Sequence, residues 1–333
     1  MKIAFFEVKD WEKKYLQNHL KDVEVSFFSE KLSAENAAIA KDYEIISVFV
    51  DSQVNDEVLN TLPNVKMITT RSTGFNHVDL AMCKKNGVVL CNVPHYGDNA
   101  VAEYAFALLL DLSRKIHQSI ERVRNGGFAF EGLTGFDLKG KTVGIVGMGN
   151  IGQHVARIAQ GFEMNILAFD VKQDKKLAKK IGFVYVALEE LLKNSDIISL
   201  HVPYNEKTHH LINSDNINII KRGAYVINTS RGGIIETNAL VKALADGTIA
   251  AAGLDVLEEE GFIKEEISLL SQESSKKADL KVVLENHILM EQENIIITPH
   301  NAFNSKEALE KILETTVLNI NSFLKGRPIN FIP

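Results

Sequence analysis

The chain has 333 residues, 45% hydrophobic and 24% charged, with a formal net charge of −6. That length leaves room for two hydrophobic cores, and the composition is that of an ordinary globular protein. An acidic balance without any basic run argues against a nucleic-acid or membrane surface, and no apolar run reaches bilayer-spanning length. Cys83 and Cys91 are expected to be reduced thiols of a cytoplasmic protein.

The opening MKIAFFEV meets Glu7, Lys9 and Asp10 too soon for a targeting segment, and predicts a first β-strand over 3–8. Further strands are predicted at 23–27, 45–50, 65–70 and 88–91, with amphipathic helical stretches between most of them. This βαβα alternation predicts a parallel sheet with helices on its faces. The strand at 65–70 runs into Arg71-Ser72-Thr73-Gly74-Phe75. The amides of that loop could cradle an anion, or it could be an ordinary glycine turn. After Asn92-Val93-Pro94-His95-Tyr96-Gly97, a helix capped by Asp98 or Asn99 is expected. Ala102, Ala105, Phe106, Leu109, Leu110 and Leu112 make it broadly apolar as far as about Arg124, as suits a domain-crossing helix or a subunit interface. The boundary between domains is placed near residue 99.

Residues 141–170, KTVGIVGMGNIGQHVARIAQGFEMNILAFD, organise the rest. A buried strand at 142–146 leads through Gly147, Gly149 and Gly152 into a helix with an apolar face at Ile151, Val155, Ile158 and Ala159. A second strand ends on Asp170. In this G-x-G-x-x-G spacing the first glycine allows the tight turn, the second admits a pyrophosphate, and the third lets helix pack on strand. The helix N-terminus favours the phosphate charge. Asp170 is placed to accept hydrogen bonds from an adenosine ribose and to repel a 2′-phosphate, so NAD is preferred to NADP.

Four more strands are expected, at 197–201, 224–228, 250–255 and 295–298. They end at His201-Val202-Pro203, at Asn228-Thr229-Ser230-Arg231-Gly232-Gly233, at Asp255 and at Thr298-Pro299-His300. In a doubly wound sheet these ends converge on one edge beside the glycine loop. Arg231 could hold a carboxylate bidentately, although most arginines serve surface salt bridges. His300 is a candidate acid or base among ten histidines, distinguished by its position. Glu258, Glu259 and Glu260 read most simply as a solvated charge run, unless one of them meets His300.

The stretches NVPHYGDNAVAEYAFALLL, GIVGMGNIG, SLHVPYNEKTHHLIN, INTSRGG, GLDVLEEE and ITPHNAF together resemble the D-isomer-specific 2-hydroxyacid dehydrogenases, most closely their D-lactate dehydrogenase branch. The likeness covers nearly the whole chain. It implies two doubly wound parallel-sheet α/β domains: a Rossmann NAD-binding domain, 99–301, inserted in a discontinuous flavodoxin-like substrate domain, 1–98 and 302–333. A terminal helix at 305–324 would return to the first domain.

The resemblance also implies the chemistry. Arg231 of the N-T-x-R-G motif would bind the substrate carboxylate, and His300 of T-P-H would be the proton donor. Glu260, five residues beyond the aspartate of G-x-D-V, would hold His300 protonated. Asn150 and Ile151 would contact the pyrophosphate, Val202 and Pro203 the adenine side with Thr208 near them, and Thr229 and Asp255 the nicotinamide half. Amides around Thr73 and Gly74 would meet the substrate carboxylate, and Tyr96 would close the pocket. No metal is implied. The branch implies pyruvate reduction by NADH in a homodimer. A long charged helical segment between Glu260 and His300 also points to this branch. Other 2-oxo acids such as 2-oxoisocaproate, hydroxypyruvate or phenylpyruvate are the first alternative, and an NAD-sensing corepressor-like protein is an alternative of another class.

Overall fold

The β-branched runs become strands because side chains branched at Cβ pack well on a pleated surface covered on both faces. The computed structural model describes residues 1–260 and 280–333, which divide into two units: Met1–Tyr96 with Asn304–Pro333, and Gly97–Phe303.

In the first unit β1 (Lys2–Phe5), β2 (Glu24–Phe27), β3 (Ile45–Val48), β4 (Met67–Thr70) and β5 (Val89–Cys91) form a parallel sheet in the order β2-β1-β3-β4-β5. This is the flavodoxin-like order. Helices Asp10–His19 and Lys306–Leu324 lie on one face, where Leu16, Leu20, Leu313, Val317 and Ile320 join Ile3, Phe5, Ile45 and Met67 in one core. Each such side chain contributes about 1.5–3 kcal/mol when fully buried, which accounts for the return of the terminal helix to this sheet. Ser305 caps that helix by accepting the Ala308 amide at 3.2 Å.

The second unit contains β6 (Thr142–Val146), β7 (Asn165–Phe169), β8 (Val184–Tyr185), β9 (Ile197–Leu200), β10 (Ala224–Asn228), β11 (Ile249–Leu254) and β12 (Ile295–Ile297). Among the described residues the order is β12-β11-β10-β9-β6-β7-β8, all parallel. Counted from β6 this is the Rossmann order 3-2-1-4-5-6 with one strand added, and the winding reverses between β6 and β9. Two apolar cores cover the two faces.

The structure departs from the expected elements in three places. The two-residue strand β8 was not predicted, being too short to carry a periodic signal. The apolar helix after residue 97 is two helices, Asp98–Arg114 and Ile116–Arg124, because Lys115 between them is left-handed (φ 52°). Asp111 secures the break: its Oδ1 accepts the His117 amide at 2.8 Å. Neither Asp98 nor Asn99 caps the first of these helices, whose cap position is Gly97; Asn99 donates instead to Glu103 at 2.6 Å. Of the charged segment after Glu260, residues 261–279 lie outside the described residues, and a helix, Leu280–Met290, follows.

Cys83 and Cys91 are both free, buried thiols of the first unit. No helix among the described residues is long and apolar enough to cross a membrane.

Candidate active site

The strand ends of the second unit meet along the carboxyl edge of its sheet, and hydrogen bonds join each to the next. Gly147 N donates to Phe169 O at 2.8 Å, His201 N to Val146 O at 2.7 Å and Ser230 Oγ to Leu200 O at 2.7 Å. Asp255 N donates to Asn228 O and Thr298 N to Leu254 O, both at 2.9 Å. The predicted convergence of these loops is therefore carried by the backbone together with the Ser230 hydroxyl.

At the β6 end the glycine loop has the shape a dinucleotide requires. Gly147 adopts φ 99°, and a Cβ on Gly152 would stand 2.0 Å from Gly147 O, so neither position tolerates a side chain without rebuilding the turn. A Cβ on Gly149 would meet nothing within 4 Å. Gly149 and Asn150 are exposed, and with Ile151 they open the helix Asn150–Gly161. The first turn of a helix points its amides outward along the axis, which makes this end a cradle for phosphate. The Asp170 carboxylate accepts Met148 N at 2.7 Å and Lys172 N at 2.8 Å, so the acid predicted to meet the ribose braces the glycine loop.

Val202 stands against the same loop; its Cγ1 would lie 2.9 Å from a Cβ on Gly147. Pro203 O accepts the Thr208 hydroxyl at 2.6 Å, and that hydroxyl accepts Asn205 N at 2.8 Å. Thr208 thus spends its oxygen on the turn that follows Pro203. Thr229 is buried, and its hydroxyl has no partner among the described residues. A buried polar atom left unpaired costs about 1–3 kcal/mol, so this orphan and the open cradle fit a bound dinucleotide. Nearby, burial pushes the His201 imidazole down to about 3, keeping the ring neutral.

Past β10, Asn228 closes the turn that carries Arg231. Its Oδ1 accepts Ser230 N and its Nδ2 donates to Arg231 O, both at 3.0 Å. The half-buried Arg231 guanidinium donates to Ser230 O at 2.7 Å.

The β11 and β12 ends hold the predicted proton-transfer pair. His300 Nδ1 lies 2.7 Å from Glu260 Oε1, with side-chain exposures of 32% and 31%. His300 is left-handed at φ 52°, and its amide donates to Asp255 O at 2.9 Å. Expected to meet the nicotinamide carboxamide, Asp255 is wholly buried and spends both oxygens on the His300 turn. Its Oδ1 accepts Thr298 Oγ1 at 2.5 Å and Asn301 N at 2.8 Å, and its Oδ2 accepts Ala302 N at 2.8 Å. Burial raises its pKa, while Thr298 and the two amides pull against that shift.

The glutamate run is not a solvated face. Only Glu259 is exposed; Glu260 meets His300, and Glu258 pairs with His210 Nε2 at 2.7 Å and Thr237 Oγ1 at 2.7 Å. Neither His210 nor Thr237 stands at a strand end, so no local pattern marks them in the sequence. His209, His210 and Glu258 have potential metal-ligand atoms within 4.8 Å of one another. The two rings, however, are stacked 3.8 Å apart with 25° between their planes. Imidazole lone pairs lie in the ring plane, so stacked rings do not aim at one ion, and the cluster is a hydrogen-bonded one.

In the first unit, Thr73 Oγ1 donates to Val93 O at 2.8 Å and Ser72 Oγ to Gly74 O at 2.6 Å, fixing the loop after β4. Arg71 in that loop is a buried strut whose guanidinium donates to Phe6 O at 2.7 Å and Glu7 O at 2.9 Å. Tyr96, half-buried, closes the unit.

A Rossmann sheet with an open glycine cradle, a guanidinium and a carboxylate–imidazole pair at one edge defines a dinucleotide-dependent oxidoreductase acting on an acid. Residues 106–302 match the family model described as D-isomer specific 2-hydroxyacid dehydrogenase, NAD binding domain. The chain is 37% identical to a 2-hydroxyacid dehydrogenase homolog of Zymomonas mobilis and 37% identical to the D-lactate dehydrogenase of Escherichia coli, covering 98% of both chains in each case. It superposes with TM-score 0.86 on the D-lactate dehydrogenase of Aquifex aeolicus complexed with NAD and lactic acid, at 37% identity over 97% of this chain and 96% of that one. The chain belongs to the D-isomer-specific 2-hydroxyacid dehydrogenase family: it is an NAD-dependent enzyme with the two parallel-sheet α/β domains of that family.

Proposed function

We propose that the protein is a cytoplasmic D-lactate dehydrogenase that reduces pyruvate with NADH, reversibly. The observation that carries this reading is the 2.7 Å contact between His300 Nδ1 and Glu260 Oε1 on the NAD-binding unit. With Nδ1 held by the carboxylate, Nε2 is the ring atom that gives the proton to the substrate oxygen and takes it back in oxidation. Arg231 receives the substrate carboxylate with its planar fork of donors. Bound NADH supplies the hydride. In the first unit we assign substrate binding to the amides around Thr73 and Gly74 and to Tyr96. The match to D-lactate dehydrogenases along nearly the whole chain supports pyruvate over larger acids.

NADH oxidation with pyruvate, followed by chiral analysis of the lactate, tests the reading. Turnover to D-lactate is expected. Faster turnover of 2-oxoisocaproate, hydroxypyruvate or phenylpyruvate would reassign the substrate, since one methylene in an apolar pocket changes discrimination by only about 1–3 kcal/mol. NADH binding without turnover of any of them would favour an NAD-sensing role.

We also propose a homodimer. Ile116, Ile120 and Val123 repeat at helical spacing and are about half exposed, and Phe128 and Phe130 follow at 92% and 79% exposure. Surfaces of this kind mark subunit contacts. Sedimentation at the mass of one chain would overturn the proposal.

A further inference from the structure

We propose that Glu258, gripped by His210, is a positioning residue that sets the Arg231 turn and the Glu260 loop in register with each other. The inference rests on the reading of Arg231, Glu260 and His300 as the reacting machinery. Glu258 sits two residues before Glu260, and the residue between them, Glu259, is left-handed at φ 56°. That reversal lets Glu258 turn inward while Glu260 reaches His300. The inward carboxylate is almost fully engaged: Oε1 meets His210 Nε2 and Oε2 accepts Thr237 Oγ1, each at 2.7 Å. The Glu258 carbonyl accepts Asn286 Nδ2, also at 2.7 Å.

His210 has a second hold. Its amide donates to Gly233 O at 2.8 Å, inside the turn that begins at Arg231. One residue therefore grips the substrate-carboxylate turn by its backbone and the proton-transfer loop by its ring. The two turns also touch directly, since a Cβ on Gly232 would stand 2.0 Å from Glu258 N and Leu257 C. With the backbones so close, a small shift of the Glu258 loop moves Glu260 relative to Arg231. A misplacement of about 1 Å can cost 10²-fold in rate.

The test uses the full-length enzyme with Glu258→Ala, His210→Ala, the double variant, and His210→Gln, whose amide keeps a donor. Each single alanine variant is expected to lower kcat/KM for the 2-oxo acid by about 10- to 100-fold, with NADH affinity within about twofold. The double variant is expected to be no worse than either single one, because residues acting as a unit are not additive. His210→Gln is expected to recover part of the loss. Losses that multiply, a parallel loss of NADH affinity, or unchanged kinetics would overturn the proposal. Thr237→Val, which removes one bond only, serves if the alanine variants do not fold, and its loss is smaller in the same direction. A readout independent of turnover is the ring ¹⁵N shift of His300, which reports its hydrogen bond to Glu260. It is expected to move in Glu258→Ala and to stay in Glu259→Gln. A wild type inactive on every 2-oxo acid would sink the functional reading, whereas a His300 signal unmoved in Glu258→Ala would sink the positioning role.

Discussion

The two ends of the second unit's sheet edge are built from different materials. Beside β6 and β7 the site is made of backbone: three glycines, the amides of one helix end, and one acid, all within thirty residues. Beside β11 and β12 it is made of side chains from distant stretches, with Asp255 buried and Glu258 half-buried beside the His300–Glu260 pair. A backbone cradle is set by steric exclusion and tolerates change wherever no Cβ intrudes. A side-chain cluster depends on buried charge, where losing one partner leaves the other unsatisfied.

Breaking the side-chain end should have the largest effect on catalysis. His300→Ala is expected to lower kcat by roughly 10²–10⁴-fold while leaving NADH affinity within about twofold, as read by NADH fluorescence titration and steady-state rates. Arg231→Gln should raise KM for the 2-oxo acid without weakening NADH. Equal loss of both ligands in either variant would contradict the division of labour.

A pair of alanines sharpens the backbone end. Gly152→Ala places a methyl 2.0 Å from Gly147 O and should lower both thermal stability and NADH affinity. Gly149→Ala points into open space, so the melting temperature should hold while NADH binding weakens at least about tenfold, by the loss of roughly 1.4 kcal/mol of phosphate contact. If Gly149→Ala binds NADH normally, the phosphates lie elsewhere.

Asp255 tests what buried charge costs. In Asp255→Asn one acceptor becomes a donor facing the Ala302 amide, a loss of about 1–3 kcal/mol. Because burial raises the Asp255 pKa in the folded state, its contribution is fully present below the ordinary value of 3.8 and is lost as pH rises through the raised value. The stability deficit of the asparagine variant should therefore be greatest in acid and shrink as pH rises through that window, followed by thermal melts. A deficit that grows with pH would mean that the carboxylate is stabilised by its three donors more than burial opposes it.

Asp170→Ala should relax the preference for NAD over NADP. It also frees the Met148 amide, so NADH affinity should fall several-fold as the glycine loop loosens. The smallest effect is at the thiols. Burial raises Cys83 and Cys91 to about 11 each, leaving little thiolate at neutral pH. Iodoacetamide should label neither until denaturant is added.

The contrast between the two ends also explains what was legible beforehand. The glycine loop was readable because its function requires particular residues at close spacing. The strands were readable because parallel sheets need continuous apolar runs. The helix break at Lys115 was not: nothing in the local run opposes a continuous helix, and it is the chain near Gly135, where Phe136 N donates to Ser113 O at 2.9 Å, that packs into the interruption. The setting of Glu258 was hidden for the same reason: three adjacent glutamates look solvated until the donors around them are known.

The sequence by itself determined the two α/β sheets and the dinucleotide loop, and singled out Arg231, Glu260 and His300 as candidates. These follow from periodicity and from motifs whose parts are neighbours in the chain or match a known family. Only the tertiary structure decided which of three glutamates faces inward, that Asp255 holds the His300 turn, and that His210 joins two loops. Burial and hydrogen-bond partnership are properties of atoms brought together across scores of residues, and no local pattern encodes them.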